Sequence, residues 1–236
     1  MKKITIFVEG QTEQIFVERL ITEIAGAKNV DIELKKSTGG RFNNRKIITI
    51  KRVTPTKQFY VLIIDSCNDE RVQTDIRDRL PQLKAKGYSK VIGLRDLYPK
   101  KLEDLDKMIK YSERYINNPN IEINSKIIFA VMEVETWFLK EYTYLSKIDS
   151  KLVKEFIINK LGYDLENDSL EENPKYYHPA KVLDEIYKLV GRRYDKTKKK
   201  VNKLVESLDY EKIYFQISKE LISLNIFIKE LDGFFE

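Results

Sequence analysis

Apolar and polar positions follow two different periods along the first 132 residues, and the periods take turns. Ile4-Thr5-Ile6-Phe7-Val8 is a short β-rich run that stops at Glu9-Gly10. From Thr12 to Ile24, Phe16, Leu20, Ile21 and Ile24 then fall at helical spacing, so the pattern predicts strand, tight loop and helix. Gly26 ends that helix, Val30 to Lys36 alternates as a second strand, and Gly39-Gly40 predicts a turn before a basic loop over Arg41 to Lys46 and an extra strand over Ile47 to Val53. Phe59 to Ile64 is unbroken apolar sequence, as expected of a central parallel strand buried on both faces, and it ends abruptly in Asp65-Ser66-Cys67-Asn68-Asp69. A polar helix from Glu70 to Lys86 follows, with Pro81 expected to break or kink it. Lys90 to Leu94 predicts a strand ending in Arg95-Asp96, Leu102 to Ile116 a helix, and Ile121 to Val131 a further strand.

This succession predicts an α/β fold over residues 1–132, with a mostly parallel sheet and helices on both faces. From Glu133 only the helical period remains. Trp137, Phe138 and Leu139 show it, as do Leu152, Val153, Phe156, Ile157 and Leu161, then Val182, Leu183, Ile186, Tyr187 and Val190, and finally Val201, Leu204, Val205 and Leu208. Residues 133–236 therefore read as an α-helical C-terminal lobe, interrupted by an acidic loop over Asp164 to Pro174.

Composition narrows the function classes. No uninterrupted apolar run approaches the roughly twenty residues that span a bilayer, and Ile4 to Val8 is too short for a signal-peptide core. Cys67 and His178 are the single cysteine and histidine, which excludes an internal disulfide and a Cys/His zinc site. A reducing, cytoplasmic location is the expectation, with no membrane partner. The net charge of +6 favours an anionic partner, and much of the basic excess lies in Arg192, Arg193, Lys196, Lys198, Lys199, Lys200 and Lys203.

The acids lie elsewhere, at the ends of apolar runs. Ligands of an open α/β sheet usually meet the protein beyond the carboxyl ends of its strands. Glu9 and Glu13 follow the first strand, Asp65 and Asp69 the central one, Asp96 the next, and Glu133 and Glu135 the last. Carboxylate oxygens are the hard ligands that Mg²⁺ or Mn²⁺ prefers, and gathering them is costly unless a cation offsets their repulsion.

The run Val8-Glu9-Gly10-Gln11-Thr12-Glu13, followed by a later apolar strand ending in Asp65 and Asp69, resembles the Toprim domain of topoisomerases, primases and the overcoming-lysogenisation-defect nucleases. It is nearest the nuclease branch. It also resembles a related bacterial Toprim-like family found beside ATPases in phage-defence loci, which places a glutamate just before a Trp; that position is Glu135 in Glu135-Thr136-Trp137. The resemblance runs over residues 4 to 69 by motif and extends weakly to 140. It implies catalytic Glu9, Glu13 and Asp65, and a Mg²⁺ or Mn²⁺ held by Glu9, Glu13, Asp65, Asp69 and Glu135. The Asp-x-Asp usual in such domains reads Asp65-Ser66-Cys67 here, which leaves Asp69 as the substitute and leaves one-metal, two-metal and degenerate sites all open.

Plainer roles stand beside these. Glu13 and Asp69 suit the positive end of a helix dipole, His178 before Pro179 suits a surface or capping position, and Trp137 with Phe138 suits a core. Cys67 lacks a partner base nearby in sequence. Arg45, Lys46, Arg192, Arg193, Lys196 and Lys199 are the candidate nucleic-acid contacts, with Tyr176, Tyr177 and Tyr194 as stacking platforms and Arg95 and Lys100 as phosphate neutralisers. The expectation is a metal-dependent nuclease acting on DNA or RNA in anti-phage defence, with an ATPase encoded nearby and a homo-oligomer as compatible partners. The alternative is a non-catalytic module that binds nucleic acid or an ATPase partner. A nucleotide-binding flavodoxin-like protein ranks third, because neither G-x-G-x-x-G nor a Walker loop is present.

Overall fold

A computed structural model of the chain describes residues 1–40, 43–68 and 71–236. The chain divides into two compact units, one comprising Met1–Arg95, Asp104–Phe129 and Lys229–Glu236, the other Asp96–Glu103 and Ala130–Ile228.

The first unit is built on strands β1 (Lys2–Val8), β2 (Val30–Gly40), β3 (Asn43–Lys51), β4 (Phe59–Asp65), β5 (Lys90–Asp96) and β6 (Asn124–Ala130). They form one six-stranded sheet in the order β3-β2-β4-β1-β5-β6. β1 runs parallel to both β4 and β5, and β2 runs parallel to β4, while β2 and β3 are antiparallel. The fold is thus mixed α/β on a mostly parallel sheet, consistent with a Rossmann- or Toprim-like class, with a helical C-terminal region.

Its helices are α1 (Gln11–Ala25), α2 (Arg71–Ala85) and α3 (Leu105–Ile116). Alternation along a strand sends successive side chains to opposite faces. Phe7, Leu62, Ile64, Ile127 and Phe129 meet Val72, Ile76, Leu80 and Leu83 of α2 and Ile116 of α3 in one core, each such side chain contributing about 1.5–3 kcal/mol by leaving water. α1 packs against β1, β2 and β4. The Gln14 side-chain amide, buried, donates to Lys35 O at 2.8 Å and Ile63 O at 3.2 Å, which fixes the first turn of α1 against β2 and β4.

Three local expectations change. β2 continues through the expected Gly39-Gly40 turn, and β3 begins at Asn43, within the expected basic loop. Thr38 pairs with Lys46 and Gly40 with Asn43, so ladder bonds override a polar, glycine-rich sequence whose period says loop. Pro81 neither breaks nor ends α2, because Leu80 and Leu83 on either side of it are buried and hold the helix to the sheet. The helix expected from Leu102 opens with a 3₁₀ turn, Leu102–Asp104, before α3.

The second unit carries α4 (Glu135–Lys140), α5 (Leu145–Ile148), α6 (Lys154–Leu161), α7 (Pro179–Lys188), α8 (Lys198–Ser207), α9 (Tyr210–Lys212), α10 (Ser218–Glu220) and the first half of α11 (Ile222–Phe235), whose second half belongs to the first unit. The segment from Asp164 to Asn173 is loop, as its polar sequence predicts. α4 packs on α7. Trp137 is fully buried against Phe227, with ring centroids 5.9 Å apart, and its indole N–H donates to Ser223 Oγ at 2.9 Å. Ser223 Oγ donates in turn to Glu171 at 2.6 Å, so Trp137 is a core residue with its polar atom satisfied. Among the described residues, no helix is long and apolar enough to cross a membrane.

Candidate functional site

In the first unit the acids collect at one end of the sheet for a topological reason. β1 lies between β4 and β5, and Val8, its last residue, pairs with Asp65 on one side and Leu94 on the other. Ser66 N donates to Val8 O at 2.9 Å, which extends the ladder by one residue and sets Glu9 beside the end of β4. Glu9, Glu13 and Asp65 are all buried.

Gly10 precedes α1 in extended backbone that any residue adopts, and a Cβ there would come within 3.3 Å of Glu13 Oε2. The missing side chain leaves room for the Glu13 carboxylate in the first turn of α1, where the helix dipole favours it. Asp65 accepts from Cys67 N at 2.8 Å, a side-chain turn that bends the chain just after β4 and holds Cys67 in the left-handed region at φ 59°. Lys36 of β2, in register with Asp65, places its ammonium 3.3 Å from Asp65 Oδ2. The Asp65 charge, the largest influence, holds the Lys36 ammonium above its ordinary pKa. Arg95 Nε lies 3.5 Å from Glu9 Oε1, its guanidinium also donating to Gln73 Oε1 at 3.3 Å and resting over the Phe129 ring.

The second unit holds acids of its own, Asp96, Glu133 and Glu135. Asp96 accepts from Val134 N at 3.0 Å, and Glu133 accepts from Ala180 N at 3.0 Å, in the first turn of α7. Glu135, fully buried, accepts from Tyr194 Oη–H at 2.8 Å and faces the Lys196 ammonium at 2.9 Å, with Lys196 also 3.6 Å from Glu133. One carboxylate oxygen from each of Asp96, Glu133 and Glu135 lies within 4.8 Å of the other two, the set of three that converges in this way among the described residues. Burial, then the charge of Glu135, pushes the Glu133 carboxyl above its ordinary pKa, against Lys196 and the Ala180 N–H. Met132, just before Glu133, has left-handed backbone at φ 62°. Sparsely populated backbone of this kind concentrates at functional sites.

The same unit carries a cavity of about 360 Å³ lined by Ile148, Tyr187, Arg192, Arg193, Lys200 and Lys203. Arg192 and Arg193, expected nucleic-acid contacts, line it, while Lys199 is exposed on α8. Lys196 instead engages Glu133 and Glu135. Tyr176 and Tyr194 are not open stacking platforms: both are buried, their hydroxyls bound to Asp168 and Glu135. Tyr177 donates to Pro99 O and, like exposed His178, sets its ring against Tyr98. Lys46 and Lys100 are exposed. Asp69 lies outside the described residues, as does the Arg45 side chain.

Two features are weak in sequence. Lys36 becomes visible only through the register of β2 on β4. Asp96 and Glu133 stand out as strand-end acids, but nothing along the chain shows that they converge with Glu135.

Residues 8–230 match the family described as Domain of unknown function (DUF4276). The match covers most of the chain, and the chain belongs to that family. No curated protein and no solved structure matches it.

Proposed function

We propose that the protein is a metal-dependent phosphodiester hydrolase acting on DNA or RNA. The observation that carries this reading is the side-by-side burial of Glu9 and Asp65 at the carboxyl ends of two paired parallel strands, with Glu13 in the helix turn that follows. Three buried carboxylates in one short region are a poor structural investment unless they bind something. Their donor set is all oxygen, which fits Mg²⁺ or Mn²⁺, and Glu9, Glu13 and Asp65 would hold the ion. Such an ion supplies Lewis-acid activation of water and neutralises charge at the phosphodiester. The chain's own part is placement. The Gln14 amide and the Asp65 turn orient the acids, and Lys36 and Arg95 provide positive charge at the same strand ends for a phosphate oxygen. The arginine- and lysine-lined cavity supports an anionic, phosphate-bearing partner.

Purified protein should cleave single- or double-stranded DNA or RNA when Mn²⁺ or Mg²⁺ is supplied. Glu9→Ala should reduce cleavage by about 10²-fold or more with little change in Tm. Undiminished cleavage by Glu9→Ala would remove Glu9 from the reaction.

A second reading, a non-catalytic module that binds nucleic acid or a partner ATPase, draws on one observation: Asp65 and Glu9 each already face a cation, Lys36 and Arg95. Under it the protein binds nucleic acid with unchanged affinity after Glu9→Ala and cleaves none.

A further inference from the structure

The second unit's acid group carries more than charge. Asp96, Glu133 and Glu135 come from two chain segments, Asp96 at the end of β5 and the two glutamates just past β6, each held by a different local device. A backbone N–H fixes Asp96, the N-terminus of α7 fixes Glu133, and the Tyr194 hydroxyl fixes one oxygen of Glu135. The other oxygen of Glu135, Oε2, is buried and has no hydrogen-bond partner in the protein. A charged oxygen left so is costly, and buried polar atoms without partners are rare enough to require a reason. A surface acid cluster would turn such an oxygen to solvent; here the residue is fully buried and cannot.

We propose that Asp96, Glu133 and Glu135 form a divalent-cation site for Mg²⁺ or Mn²⁺, with the Lys196 ammonium standing where positive charge is needed when the ion is absent. The donor set is three carboxylate oxygens, hard ligands that leave several positions of an octahedral ion for water or a phosphate oxygen. Separations of up to 4.8 Å between the oxygens need only a modest contraction of side chains to reach octahedral coordination. Lys196 is the natural competitor. Its side chain is 44% exposed and has solvent to move into, whereas Glu135 is fully buried.

The site stands independently of the hydrolase reading, because its test reads ion binding alone. Calorimetric titration with Mn²⁺ of the full chain carrying Glu9→Ala, which removes the ion proposed for the other carboxylates, should show a binding step that adding Glu135→Gln or Asp96→Asn weakens by at least about tenfold. Lys196→Met should tighten that step several-fold, by removing the competing ammonium. This exposed substitution keeps the test meaningful should either acid variant fail to fold. The proposal is overturned if the Glu9→Ala chain shows no Mn²⁺ step up to millimolar concentration, if folded Glu135→Gln in that background retains the step, or if Lys196→Met there leaves or lowers the affinity. A protein that binds Mn²⁺ through these residues and cleaves no nucleic acid keeps this site and loses the hydrolase reading; one that cleaves through Glu9 with no such step does the reverse.

Discussion

Cys67 shows how a residue beside a candidate site can be kept out of the chemistry. Cys67 is exposed as a residue, but the partial burial of its sulfur, which donates to Ser37 O at 3.0 Å, and, next, the negative charge of Asp65 push its thiol up to about 11, with Lys36 opposing. An acid with a raised pKa stays protonated longer as pH rises, so the thiolate is scarce at neutral pH and grows only through strongly alkaline pH. Alkylation by iodoacetamide at about pH 8 should therefore run on the order of a hundredfold slower than for a free thiol. Asp65→Asn should speed it, since one of the two causes is removed. A rate at that pH equal to a free cysteine's would contradict the geometry around Asp65. The sequence already argued against a nucleophilic Cys67, having no base near it. It could not show why the thiol is quiet, because Lys36 and Asp65 meet only through strand register. The same limit applies to Glu135. Its place before Trp137 was legible, while its buried oxygen and its contacts with Tyr194 and Lys196 arise from segments about sixty residues downstream.

At the scale of elements, the strongly periodic runs were readable and the conflicted ones were not. β4 and α1 follow directly from an unbroken apolar run and a helical stripe, and both fall within a residue or so of their expected limits. α2 is the instructive exception. Pro81 sits in its interior, is exposed, and cannot donate to the carbonyl of Arg77, yet the helix runs through from Arg71 to Ala85. Local propensity opposes this helix; Val72, Ile76, Leu80 and Leu83, four buried positions on one stripe, decide for it. Pro81→Ala should restore the missing bond and stabilise the protein by about 1–3 kcal/mol, less the roughly 0.4–1 kcal/mol lost because alanine frees the unfolded chain. The urea midpoint should rise with no change in slope. A lowered midpoint would mean that the helix is strained into a shape only proline suits. β2 and β3 were expected as strands, but their facing ends were not: those polar, glycine-containing stretches gave no period at all, and the ladder between them is a long-range fact that no local window contains.

For the molecule as a whole, charge is the property most open to sequence and least specific in meaning. A net charge of +6 says that anions are attracted, and the structure adds that four basic side chains gather around one cavity while Lys196 is turned to neighbouring acids. Not all of that basic set is equally available: Arg192 lies 3.8 Å from Asp149 and Lys200 pairs with Asp195, so Arg193 and Lys203 are the more informative pair to change. If the cavity receives nucleic-acid phosphates, affinity for a labelled single-stranded RNA or DNA, read by fluorescence anisotropy in EDTA to suppress cleavage, should fall steeply with salt. Four phosphate contacts on a single strand correspond to a slope of about −3 in log affinity against log salt. Reversing Arg193 and Lys203 to glutamate should weaken binding and flatten that slope by about 1 to 2, whereas the same reversal at exposed Lys46 of β3 should do less if this cavity is the main contact. Binding indifferent to salt, or unchanged by reversal at Arg193 and Lys203, would separate the basic cavity from nucleic acid. The carboxylate groups would then have to be explained by a small phosphorylated substrate or by metal binding alone, since neither requires a polyanion to be held along the protein.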